Sequence, residues 1–418
     1  MALAWLVARP MLKSLGLSPG RSDGVSSLMT TARPTFRWRD PGPVEPPPFL
    51  KFLPLMRAAV EAAPQRTDLR LQLAKALFRI KHDAEIVDRL GPHLAEGEAN
   101  PELFYYVGRA ALSTGDHRLA CDSLGKAAAG GFAPAFGYLA EALEQVERRG
   151  AALDAALQRL QAAPSDYLSL RVVGRVLLGR GEAERLWSIC VELRARGASG
   201  SWFSALTATA AAALGRDSEL RVLIDPARWF SATQLPVADA FNQGLAAELL
   251  TLRSSAAEIR IDRLEALGGP ITQQLLGKIR TTVEAYVEDR RGFVDHPLIA
   301  AEPAAAELHS WAIFVHDHKH HGWHIHGAGW ISGVYYVAVP QPEPADPGHP
   351  GAIEFGPYPF DRAEENFRAL RWRLTPEPGL LLLFPSYYGH RTWPTGVTDL
   401  RISIPFDVRP SAMRPEAE

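Results

Sequence analysis

The sequence predicts two architectures in one chain, an α-helical repeat array followed by an all-β sandwich or barrel. Three observations carry this. Apolar residues recur at helical spacing from about residue 50 to 250, and a small residue returns there at a nearly constant interval. Beyond residue 305 the pattern changes to period two and is rich in β-branched and aromatic side chains.

The 418 residues are 47% apolar and 22% charged, the composition of a globular chain long enough for two or three domains. A net charge of -2 gives no general attraction to nucleic acid or anionic lipid, so neither partner is expected. Cys121 and Cys190 are the only cysteines and sit in apolar, helical surroundings. That usage belongs to a reducing compartment, and a cytoplasmic location is expected. The opening "MALAWLVARPMLKSLG" has no basic region ahead of its apolar run and carries Arg9 and Pro10, which argues against a signal peptide. No stretch of 18 apolar residues predicts a membrane span. Residues 1–49, rich in Ser, Gly, Pro and Arg beyond about residue 17, are expected to form a flexible leader, and 411–418 a tail.

In the array, "LQLAKALFRIKHD", "YYVGRAALSTGD", "GYLAEALEQ", "RVVGRVLLGRGE" and "ALTATAAAALGRD" align on Ala74, Gly108, Ala140, Gly174 and Ala208, at steps of 34, 32, 34 and 34 residues. This period resembles the tetratricopeptide repeat, where a small residue lets the paired helix approach closely. A second small position is met by Ala120 and Ala152 and replaced by Ile86 and Leu186, so the repeats are degenerate. An Ala-rich bundle with accidental periodicity is the alternative. The array is placed at 50–255. After a Gly-Gly-Pro break at 268–270, "ITQQLLGKIRTTVEAYVEDR" reads as one amphipathic helix opening a domain at 268–410.

Six strands follow, in "HSWAIFVHDH", "WISGVYYVAVP", "GAIEFG", "LRWRLTP", "GLLLLFPS" and "LRISIPFDV". Ten of the 13 histidines lie between His296 and His390, and five are crowded into "HKHHGWHIHG" at 318–327. His324 and His326, two apart in an extended segment, share a face. His390 lies where a strand ends and a turn re-aims the side chain. Two imidazoles from one segment and one from a distant strand can enclose a divalent transition metal. Arg401, 11 residues beyond His390, brings a planar fork that suits a carboxylate. Together these describe a site for a small oxo-acid.

The stretches "HIHGAGWISGVYYV", "GAIEFG", "PEPGLLLLFPSYYGH" and "RISIPFDV" resemble the double-stranded β-helix (jelly roll) of the iron(II)- and 2-oxoglutarate-dependent oxygenases, over roughly residues 305–410. The resemblance implies Fe(II) as cofactor and 2-oxoglutarate as cosubstrate. It implies metal ligation by His324 and His390, and Arg401 as the clamp on the far carboxylate. Most members carry an acid where this chain has His326. Either His326 is a neutral third ligand or it points away and water takes that position. Tyr335 is assigned to 2-oxoglutarate, from a pair in which Tyr335 and Tyr336 face opposite ways, and Ser403 assists because it shares the face of Arg401.

The other candidates have ordinary structural readings. His316, His318, His320 and His321 read as a loop rim, although His316 and His318 repeat the two-residue spacing of the main pair. Trp323, Trp330, Tyr335, Tyr336 and Trp393 read as core, and Glu354 is a fallback carboxylate ligand. The expected function is hydroxylation of a protein or peptide presented by the repeats. The rivals are a three-histidine cupin-type metal enzyme without 2-oxoglutarate and a non-catalytic repeat scaffold with a relic barrel.

Overall fold

A computed structural model describes residues 36–40, 48–94, 100–316, 319–340, 351–360, 367 and 370–411. The chain divides into two compact units.

The helical unit takes Pro43–Leu214 together with Pro359–Asn366. Its helices are α1 (Leu53–Ala62), α2 (Thr67–Arg79), α3 (Asp83–Leu90), α4 (Pro101–Thr114), α5 (His117–Ala129), α6 (Ala135–Gln145), α7 (Arg149–Ala162), α8 (Tyr167–Gly179), α9 (Ala183–Ala195) and α10 (Ser201–Ala213). Local chemistry marks several starts. Asn100 caps α4 by accepting from the backbone N–H groups of Glu102 and Leu103, with Pro101 in the first turn, while Asp116 and Asp166 cap α5 and α8. The aligned small residues fall on α2, α4, α6, α8 and α10, the first helix of each unit, and Ala74, Ala140 and Ala208 are buried. Size at this position is dictated by the neighbour. A Cβ on Gly108 would lie 2.6 Å from Leu124 Cγ, and one on Gly174 would lie 2.8 Å from Leu206 and 2.7 Å from the Phe360 ring. The replaced positions Ile86 and Leu186 are also fully buried, so the larger side chains fill the same helix seam.

The second unit takes Met1–Gly42, Gly215–Tyr358 and Phe367–Glu418. Its strands are β1 (Arg37–Arg39), β2 (Ser231–Gln234), β3 (Arg260–Asp262), β4 (Ala305–Val315), β5 (Ile331–Ala338), β6 (Ile353–Gly356), β7 (Trp372–Leu374), β8 (Leu380–Pro385), β9 (Gly389–Thr392) and β10 (Arg401–Pro410). A larger sheet runs β1-β4-β10-β5-β8-β2, with β3 also on β4, and a smaller sheet runs β7-β6-β9. These are the two sheets of a jelly roll. β10 pairs antiparallel with both β4 and β5, which buries it at the centre of the larger sheet. On it Ile402, Ile404, Phe406 and Val408 alternate with Arg401, Ser403, Pro405 and Asp407. The predicted helix forms as α15 (Pro270–Glu288), following α11 (Asp217–Leu223), α12 (Pro226–Trp229), α13 (Asp239–Thr251) and α14 (Leu264–Leu267) and preceding α16 (Pro297–Ala300). It buries Leu275, Ile279, Val283 and Tyr286.

Three expectations need correction. The leader is not structureless throughout: β1 pairs in parallel with β4, and Phe36 is buried with its ring 5.5 Å from Trp330. Two aromatics, Phe36 and Trp38, and three backbone pairs leave little trace in an otherwise polar segment, and residues 1–35 and 41–47 lie outside the described ones. The helical unit ends at Leu214 rather than 255, because β2 joins β8. Its sequence, Ser-Ala-Thr-Gln, is mostly exposed, so its pairing rests on backbone hydrogen bonds that no side-chain pattern announces. His390 lies within strand β9, not at a turn. Of the predicted tail at 411–418, Ser411 still bonds to β4, its N–H donating to the Ala305 carbonyl at 2.8 Å, and residues 412–418 lie outside the described ones.

Candidate functional site

Three histidines separated by up to 66 residues of chain are brought together by backbone pairing. His324 and His390 exchange both backbone hydrogen bonds, each N–H donating to the other's carbonyl at 3.0 Å, an isolated antiparallel bridge. Residues paired in this way project to the same side, and their rings lie 4.1 Å apart between centres. His326 follows two residues later and is anchored by its N–H on the Ser386 carbonyl. Its ring lies 5.4 Å from that of His324 and 5.1 Å from that of His390. One nitrogen from each of the three lies within 4.8 Å of the others.

Hydrogen bonding fixes which nitrogen that is. Nδ1 of His324 faces the Gly322 carbonyl at 2.8 Å, Nδ1 of His390 faces the Tyr388 carbonyl at 3.0 Å, and Nδ1 of His326 faces the Asp407 carboxylate. Carbonyl and ionised carboxylate oxygens only accept, so each Nδ1 carries a proton, and in a neutral ring the lone pair is then on Nε2. Burial, with the neighbouring imidazoles adding to it, pushes His324 down to about 4 and His390 well below the ordinary histidine value. Both are therefore neutral at neutral pH, as a metal ligand must be. The donor set is suited to divalent iron.

The histidines open on a cavity of about 210 Å³ whose walls include Val334, Tyr336, Ile353, Phe384, Arg401 and Ser403. Arg401 is 5% exposed and donates to the Gly351 carbonyl at 3.0 Å; it forms no ion pair among the described residues. Its guanidinium carbon lies 5.2 Å from the centre of the Tyr336 ring. The Tyr336 hydroxyl is buried beside this guanidinium.

The candidates thus sort themselves. His324, His326, His390, Arg401 and Ser403 meet at one cavity. Tyr335 does not: its hydroxyl donates to Asn242 on α13 at 2.6 Å, and the alternation of β5 gives the cavity to Tyr336. Glu354 is unavailable as a ligand, since its buried carboxylate accepts from Arg373 at 2.7 Å and Arg391 at 2.6 Å. Burial alone would raise its pKa, but the two arginines hold it below the ordinary value. His316 faces the Thr398 carbonyl at 3.2 Å, while Asp317 and His318 lie outside the described residues. His321 lines the cavity as a rim residue.

Asp407 is the residue that sequence reasoning missed. Its side chain is 3% exposed and takes hydrogen bonds from His326, from Ser332 Oγ at 2.8 Å and from Arg409 at 3.0 Å. Burial opposes its ionisation, yet His326 and the other donors hold its pKa below the usual aspartate value. The signal was present: counting by twos from Arg401 reaches an acid inside an apolar strand.

Residues 309–407 match the family described as "Putative 2OG-Fe(II) oxygenase". Among solved structures, a Pseudomonas putida prolyl-4-hydroxylase aligns at 16% identity over 45% of this chain and 96% of its own, with a TM-score of 0.32. HygX from Streptomyces hygroscopicus, solved with nickel and 2-oxoglutarate bound, aligns at 13% identity over 45% of this chain and 84% of its own, with a TM-score of 0.33. YrrB, described as a TPR protein with an unusual peptide-binding site, aligns at 15% identity over 40% of this chain and 91% of its own, with a TM-score of 0.34. No curated protein matches the sequence. Among the described residues, no helix is long and apolar enough to cross a membrane.

Proposed function

We propose, from a C-terminal domain matching an oxygenase family, that this chain is an Fe(II)- and 2-oxoglutarate-dependent dioxygenase that hydroxylates a polypeptide. The observation carrying the reading is the convergence of three histidines, each with Nδ1 turned to an acceptor, on a cavity that also holds a buried arginine without an acidic partner among the described residues. His324, His326 and His390 would hold the metal through Nε2. The bound metal with 2-oxoglutarate would supply the oxidising chemistry, inserting one oxygen atom of O2 into a C–H bond and releasing succinate and CO2.

The chain's own contribution is binding, orientation and exclusion of water. Arg401 presents charged N–H groups to the carboxylate of the cosubstrate far from the metal, and the buried Tyr336 hydroxyl beside it is a donor for the same group. Ser403 adds a third polar contact from the face of Arg401. Val334, Ile353 and Phe384 wall the cosubstrate with apolar surface, which strengthens those polar contacts. Stacked helix pairs of the repeat type leave a face free for a peptide, and the helical unit is assigned that role.

Anaerobic titration with Fe(II) and then 2-oxoglutarate tests the reading. A metal-to-ligand charge-transfer band should appear with the parent and be lost in His324→Ala and His390→Ala. Metal binding by the parent without any such band would favour the cupin-type enzyme, with Arg401 then holding the substrate.

A further inference from the structure

Resting on that metal-site reading, we infer that Asp407 is a positioning residue that supplies, through His326, the negative charge a three-histidine site lacks. Three imidazoles are neutral, so they leave a bound dication with its full charge, whereas a carboxylate ligand would remove one unit. The structure holds a carboxylate one hydrogen bond further out. Asp407 Oδ1 accepts from Nδ1 of His326, and that nitrogen is in the same ring as the nitrogen facing the other two histidines. The bond polarises the imidazole towards imidazolate and makes Nε2 a stronger donor.

The surroundings hold the carboxylate rather than merely tolerate it. Ser332 donates to Oδ1 at 2.8 Å, which leaves Ser386, 2.7 Å from Ser332, to donate to the Ser332 oxygen. The Ser386 carbonyl accepts from the His326 backbone N–H at 3.0 Å. Imidazole orientation, backbone position and carboxylate are therefore fixed by one small network. Arg409, 3.0 Å from Oδ2 and about one-third exposed, is the only cation paired with Asp407 among the described residues, and it draws on the same charge from the opposite side.

The test uses the full-length apoprotein, with Fe(II) under anaerobic conditions and with Co(II) as an optical probe. Asp407→Asn keeps the shape and one acceptor but removes the charge, and should weaken both metals by about 10- to 100-fold. Ser332→Ala removes a hydroxyl from the same network but leaves the charge, and should stay within about threefold of the parent. Arg409→Gln should tighten binding at least about threefold, because it frees the carboxylate charge. It also keeps the inference testable if Asp407→Asn fails to fold. The visible Co(II) bands should shift in Asp407→Asn while the thermal transition stays near that of the parent. Unchanged affinities in both Asp407→Asn and Arg409→Gln would overturn this inference alone. A parent that binds neither metal in a His324-dependent way would overturn the underlying site as well.

Discussion

Replacement of Arg401 by alanine is the most informative single perturbation. Arg401 is 5% exposed, donates to the Gly351 carbonyl at 3.0 Å, lies beside the Tyr336 hydroxyl, and has no ion pair among the described residues, so most of its donors remain for a ligand. Two charge-assisted bonds to a carboxylate at about 1.5 kcal/mol each amount to about 3 kcal/mol, or roughly a hundredfold in Kd. Arg401→Lys keeps the charge but loses the fork and should fall about tenfold. Either change leaves the Gly351 carbonyl without that donor, a cost of about 1 kcal/mol in stability, which a thermal melt measures separately. The assay is titration of the charge-transfer band with 2-oxoglutarate on the anaerobic Fe(II) protein. An Arg401→Ala protein that folds, binds Fe(II) and takes up 2-oxoglutarate with the parent Kd would refute the assignment of Arg401.

Three further outcomes are expected. Gly108→Leu should lose about 1–3 kcal/mol because its Cβ falls 2.6 Å from Leu124 Cγ, while Gly125→Ala on α5, with nothing within 4 Å of the new atom, should gain about 0.5–1 kcal/mol; urea melts compare the two. Phe360→Ala empties the space against Gly174 and should cost the helical unit about 3–5 kcal/mol, seen as a lower helical transition by circular dichroism. The third concerns His296, whose Nδ1 accepts from the Leu298 N–H at 3.2 Å while Nε2 lies 3.1 Å from the Tyr387 hydroxyl. Burial lowers it to about 4 from 6.5, so the native state binds fewer protons between those values; its contribution is complete above 6.5 and is lost as pH falls towards 4. Replacing it with Gln should remove about 3 kcal/mol of that pH dependence, and an unchanged slope of apoprotein stability against pH would contradict the argument.

The sequence by itself determined the periodic parts of the fold. Ala74, Gly108, Ala140, Gly174 and Ala208 could be aligned because helix packing demands a small residue at one point of each unit, and that demand is written into every repeat. The long strands β4, β5, β8 and β10 were legible because burial of their faces selects apolar, branched side chains. His324, His326, His390 and Arg401 stood out because such residues are uncommon among apolar strands. Tertiary structure decided what depends on direction and on partners. Tyr335 and Tyr336 are alike in sequence, and only the placement of Asn242 and the cavity separates them. β1 and β2 carry almost no side-chain pattern, because the backbone hydrogen bonds that recruit them to β4 and β8 are available to nearly any residue. Asp407 lies 81 residues from His326 and becomes its partner only when β10 lies beside β5, since a hydrogen bond between distant segments leaves no spacing in the sequence to count.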